Sequence, residues 1–103
     1  MEPSQIFAEA QAAAVAISST AQDGYPCGFA WLRIKPARGK LVSYLKEKKI
    51  GRSDEYFGGY LISATQLSGW NGQNMDSKEI ICNAAADVLK KHGIACSVVT
   101  RID

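Results

Sequence analysis

Histidine occurs once in this 103-residue chain, at His92, and cysteine three times, at Cys27, Cys82 and Cys96. A zinc site draws four ligands from His, Cys, Asp and Glu, and three widely spaced cysteines match neither a disulfide framework nor a zinc knuckle. The sequence therefore predicts no metal, no cofactor and reduced thiols. Phosphate-cradling glycine motifs are missing as well: there is no Gly-x-Gly-x-x-Gly, and Gly39-Lys40 lacks the earlier glycine and the strand-to-loop setting of a Walker loop. The longest purely aliphatic run, Ala12 to Ile17, has six residues, whereas a membrane span needs about 20. The first basic residue is Arg33, and Glu2 stands where a secretory signal would carry positive charge. No membrane partner and a cytoplasmic location are the expectation.

Catalytic candidates are equally sparse. A nucleophilic Cys27 would need a base, and the single histidine sits in the last turn of a predicted helix, where the helix dipole accounts for it. Asp54-Glu55 and Asp23 read as exposed turn acids. No catalytic residue is predicted, and the question of an enzyme leans towards none.

What the chain does contain is a globular composition, 47% hydrophobic and 21% charged, which fits one domain over residues 1–103. A first helix, about Ser4 to Ser19, turns Ile6, Phe7, Ala10, Ala13, Ala14 and Ile17 inward. Ala8, Ala12, Val15 and Ala16 make its other faces apolar too, a pattern of helices covered on more than one side, and this hints at a partner subunit. After the turn signals Asp23-Gly24 and Pro26, Cys27 to Ile34 reads as a strand with both faces apolar, Phe29 and Trp31 on one and Ala30, Leu32 and Ile34 on the other, as suits a central strand. Arg38 to Lys49 reads as a second helix, with Leu41, Val42 and Leu45 inward. Phe57 to Ala64 reads as a strand opened by Gly58-Gly59, where the backbone must bend or be closely approached. A polar loop, Thr65 to Asn74, follows. The third helix is expected to start at Asp76 as N-cap, with Glu79 completing a capping box and Met75 and Ile80 as the hydrophobic staple, and to end at Gly93. Ile94 to Arg101, rich in β-branched residues, is the last strand. The order α-β-α-β-α-β predicts a small layered α/β domain with a three-stranded sheet, mixed or parallel, that oligomerisation would extend or pack against.

Charge is unevenly placed. Between Arg33 and Arg52 there are eight basic residues and one acid, a local balance of +7, while the rest of the chain is at −5. Such segregation attracts anions, and Lys35, Arg38 and Lys40 fall near the start of the second helix, where free backbone N–H groups favour negative ligands. A lysine-rich helix is also an ordinary solvated face. The loop Gly69 to Asn74 could place a stacking ring, Trp70, and amides, Asn71 and Asn74, beside the cations, as nucleobase sites do; equally, Trp70 could pack on the domain edge.

The segments Cys27-Gly28-Phe29-Ala30-Trp31, Ile34-Lys35-Pro36-Ala37-Arg38-Gly39, Gly58-Gly59, Gly93-Ile94 and Arg101-Ile102-Asp103 together resemble a family of small bacteriophage proteins to which no activity is assigned. The likeness spans residues 24 to 103. It implies a phage setting and a fold, and it supplies no catalytic residues. A small phage protein without catalytic machinery acts by binding, an argument from context rather than from residues. The expected ligand is a small phosphate-bearing, nucleotide-like anion such as a host immune signal, sequestered without turnover by a homo-oligomer. Arg33, Lys35, Arg38, Lys40 and Arg52 would hold phosphate, with Trp70, Asn71 and Asn74 around a base. The alternatives are a nucleic-acid-binding accessory protein and a protein inhibitor of a host enzyme.

Overall fold

The computed structural model describes residues 1–103. At its centre is β1, Gly28–Ile34, whose alternating side chains separate into a buried row, Ala30, Leu32 and Ile34, and an outward row, Phe29, Trp31 and Arg33. On one side β1 pairs with β3, Tyr60–Ser63, and on the other with β4, Cys96–Ile102. A two-residue strand, β2 (Arg52–Ser53), pairs with β3, giving the order β2-β3-β1-β4.

The domain is α/β, but its sheet has four strands, and every neighbouring pair is antiparallel. This corrects the expectation of three strands in a mixed or parallel arrangement. The sequence predicts a crossover connection from β1 to β3. Its helix, α2 (Lys40–Glu47), instead docks Leu41, Val42 and Leu45 into the core beside α1, so the chain returns next to β1 in the opposite direction. The passage from β3 to β4 does run through a long helix and leaves those two strands parallel to one another, with β1 lying between them.

All helices gather on one face. α1 (Pro3–Ser18) packs on α4 (Met75–Lys91), and α4 lies across β1 and β4. Phe7, Ala10 and Ala14 from α1 and Ile81, Cys82, Ala85, Ala86 and Leu89 from α4 close over Leu32 and Ile62. α1 is covered on this face alone, for Ala8, Ala12, Val15 and Ala16 are exposed. Burial among these side chains pushes the Cys82 thiol up to about 12 and raises that of Cys96, so neither is a ready thiolate.

The polar stretch after β3 holds a short helix, α3 (Ala64–Ser68), started by a capping box between Ser63 and Gln66. α4 begins two residues earlier than its charge pattern suggests. Its N-cap is Asn74 rather than Asp76: Asn74 Oδ1 accepts the Ser77 N–H at 2.7 Å, and Nδ2 donates to the carbonyls of Gly24 and Tyr25. The amide outcompetes the aspartate because it caps the helix and ties down the loop before β1 with the same side chain. Asp23 secures the other half of that loop by accepting the backbone N–H groups of Gln73, Gly24 and Asn74, which hold its carboxyl below the usual range.

Replacing Asn74 by Ala should therefore cost about 1–3 kcal/mol in urea unfolding, the loss of a cap plus two carbonyls left without their donor. Asn74→Asp, which keeps the cap but not the amide donors, should recover only part of it. Equal stability of the Asp variant and the native chain would show that the loop bonds contribute nothing.

Candidate functional site

Because the helices occupy one face, the opposite face of the sheet is open, and the outward row of β1 crosses it. Phe29 lies directly across from Arg101 of β4, Trp31 from Val99 and Arg33 from Ser97. The rings of Phe29 and Trp31 stack at 5.7 Å between centroids with 18° between planes. The Arg101 guanidinium lies 5.4 Å from the Phe29 centroid and 5.8 Å from that of Trp31, within cation–π range.

Towards β2 this face deepens into a concavity of about 550 Å³ bordered by Trp31, Arg33, Arg52, Asp54, Tyr56, Phe57, Leu61 and Val99 to Arg101. Three arginines and one carboxylate line it, and Tyr56 and Phe57 project above its rim, 90% and 67% exposed. Side chains of this size are usually buried.

Asp54 organises the rim. Its Oδ1 accepts the backbone N–H groups of Tyr56 and Phe57, and its Oδ2 accepts Arg33 Nη2 at 2.7 Å. These bonds, that from Tyr56 first, with the nearby charges of Arg33 and Arg52, hold its carboxyl below the ordinary value of 3.8. Gly58 and Gly59 let the loop return to β3: Gly59 has φ +89°, and a Cβ there would lie 2.8 Å from Arg33 Cγ, the close approach its sequence position suggests. Lys35 Nζ donates to the Phe57 carbonyl at 2.9 Å and so braces the loop from outside. The buried Arg33 Nε has no hydrogen-bond partner, a donor left over after Nη2 meets Asp54 and the guanidinium settles 5.9 Å from the Phe57 ring.

Of the residues expected from sequence to bind a ligand, Arg33 and Arg52 meet in this concavity, and Lys35 supports it. Arg38 and Lys40 lie at the start of α2, around a separate depression with Ile34 and His92. Trp70, Asn71 and Asn74 belong to the far end of the domain, where the Gln73 carbonyl accepts the Gly28 N–H and Cys27 bridges to Asn74. There the Trp70 ring is half-buried, packs against the core and seats on Gly72, and Asn74 caps α4. Cys27 is at that same end of β1, whereas His92 lies at the other, with Nε2 2.6 Å from Glu9.

Sequence reasoning gives no ligand role to Trp31, Tyr56, Phe57 or Arg101 and takes Asp54 for an exposed turn acid, whereas its side chain is only 12% exposed and holds the rim. A signal for the open face was present: Arg33 falls in the same alternate row as Phe29 and Trp31, and a charge in that row marks it as facing water. No family model, curated protein or solved structure matches the chain.

A carboxylate held low stabilises the fold above its unfolded value and loses that contribution as pH falls through its folded one. The melting-temperature gap between the native chain and Asp54→Ala should thus be widest at neutral pH and narrow below about pH 4. A gap that persists unchanged to pH 2 would mean that the ionised carboxylate does not hold the rim.

Proposed function

We propose that the open sheet face binds a nucleotide-type ligand and does not turn it over. The observation that supports this reading is the convergence of Arg33, Arg52 and Arg101 with Trp31, Tyr56 and Phe57 around one concavity. Guanidinium groups suit phosphate because they are planar, permanently charged and able to donate in pairs. Aromatic faces accept the ring of a base, whatever its identity. Arg52 is exposed and forms no salt bridge, and Arg101 is exposed beside the rings of Phe29 and Trp31. The only carboxylate in the lining, Asp54, is engaged in holding the rim, so the arrangement favours holding an anion over activating water against it.

Joined to the resemblance to small phage proteins, this reading extends to a protein that sequesters a host nucleotide signal in the bacterial cytoplasm. A second reading, binding of single-stranded nucleic acid, is favoured by one observation: the aromatic row continues past the concavity to Phe29 under Arg101, which offers a further stacking surface along β1.

Calorimetry against a panel of mono- and dinucleotides should give saturable binding, with the nucleotide recovered unchanged by chromatography. Trp31→Ala should weaken it roughly 5- to 150-fold, the range expected for one base stacked on an aromatic ring, and Arg52→Ala should weaken it while the fold is kept. Absence of binding across the panel, or recovery of a hydrolysed nucleotide, would contradict the reading. Oligonucleotide binding whose affinity falls steeply with salt would favour the second one.

A further inference from the structure

The two edges of the sheet are unlike. β2 is two residues long and carries Arg52, and short, charged strands are the usual protection of an exposed edge. β4 has seven residues, no proline and a single charge, and it pairs with β1 one residue to one over its whole length, without a bulge. No other segment hydrogen-bonds its outer side.

The polar groups on that outer side can be assigned. Just before β4, the Ala95 carbonyl accepts from Lys35 N–H, and just after it, Asp103 N–H donates to the Cys27 carbonyl. N–H and C=O groups alternate sides along an antiparallel strand. Odd-numbered residues of β4 therefore turn theirs towards β1, and Cys96, Val98, Thr100 and Ile102 turn theirs outward.

We propose that β4 pairs antiparallel with β4 of a second copy about a two-fold axis at Val99, joining two sheets into one. Antiparallel pairing of identical strands keeps both helix layers on one side only if each residue faces another of the same parity. With the axis at Val99, all four outward residues of each copy find partners, Cys96 with the second copy's Ile102 and Val98 with its Thr100. Val99 faces its own equivalent. Ser97 faces Arg101, so no like charges oppose one another, whereas moving the axis to Thr100 or Arg101 brings the two Arg101 side chains closer. The side-chain pairs on the helix side are apolar or β-branched, which sheets favour.

The pairing would also complete the open face. Ser97 neighbours Arg33 within one copy, so the second copy's Arg101 would stand in the same row as Arg33, one strand further on. The two Trp31 rings would be joined across the pair of Val99 side chains. This part rests on the function proposed above, but the pairing itself does not.

Sedimentation of the full chain at about 100 µM should give twice the 11.1 kDa monomer mass. Val98→Pro removes an outward N–H and leaves the bonds to β1 intact, a place where an edge strand tolerates proline. It should give a monomer with unchanged far-ultraviolet circular dichroism. In a Cys27→Ser background, Val99→Cys should oxidise to a covalent dimer and Ser97→Cys should not, which reads the register. A monomeric native chain, a Val98→Pro variant that is folded and still dimeric, or faster cross-linking through Ser97→Cys than through Val99→Cys would each overturn the proposal. Nucleotide calorimetry on the Val98→Pro monomer separates the two ideas: loss of binding in native dimer and monomer alike counts against the ligand and leaves the pairing standing on sedimentation.

Discussion

Packing of Ala30, Leu32 and Ile34 beneath α4 determines the character of the opposite face. Successive side chains on a strand point to opposite sides, so once that row is buried, Phe29, Trp31 and Arg33 have nowhere to go but outward. A one-residue slip of β1 would bury Arg33 and expose Leu32, at a cost of several kcal/mol for the charge alone. The burial of three small and medium apolar side chains thus fixes the position of two stacked rings and a guanidinium more than it fixes anything on its own side.

The remaining parts of the site follow from that placement. Arg33, emerging near the end of β1, meets Asp54, and Asp54 gathers the backbone of Tyr56 and Phe57 into a rim. Gly59 allows the rim to double back into β3 without a Cβ striking Arg33. β4 then brings Arg101 and Val99 beside the rings of Phe29 and Trp31 through its antiparallel register with β1. An apolar surface on the outer face of a small sheet has two physical uses, association or ligand binding, and the arginines around it favour a partner that is flat and negatively charged.

Much of this frame is legible in the residues, and the illegible part has definite causes. The two long helices, the interior place of β1 and the stop at Gly93 are written in periodicity and capping chemistry. Strand direction was hidden because α2 has the composition of a crossover helix, yet with eight residues it is too short to span the sheet and packs beside α1. The basic segment from Arg33 to Arg52 reads as one patch along the chain, but a strand and a helix carry its members to different sides: Arg33 and Arg52 converge, and Arg38 and Lys40 do not. Trp70 and Asn74 look like ligand groups in a polar loop, whereas helix capping and core packing claim both. Both faces of β1 read as apolar, as suits a central strand, although Arg33 in the row of Phe29 and Trp31 marks that row as facing water.

The two tryptophans sit at different places in the domain, Trp31 on the open face and Trp70 against the core at the far end, and each carries one indole N–H. A two-dimensional proton–nitrogen NMR titration with a nucleoside triphosphate therefore tests the account most directly. It should shift the Trp31 indole, the Arg33 Nε–H and the backbone signals of Val99 to Arg101, leaving Trp70 and the start of α2 unmoved. Shifts confined to Trp70, Asn74 or the segment Arg38 to Lys40, or no shifts at millimolar nucleotide, would contradict the assignment of the open sheet face as the binding surface.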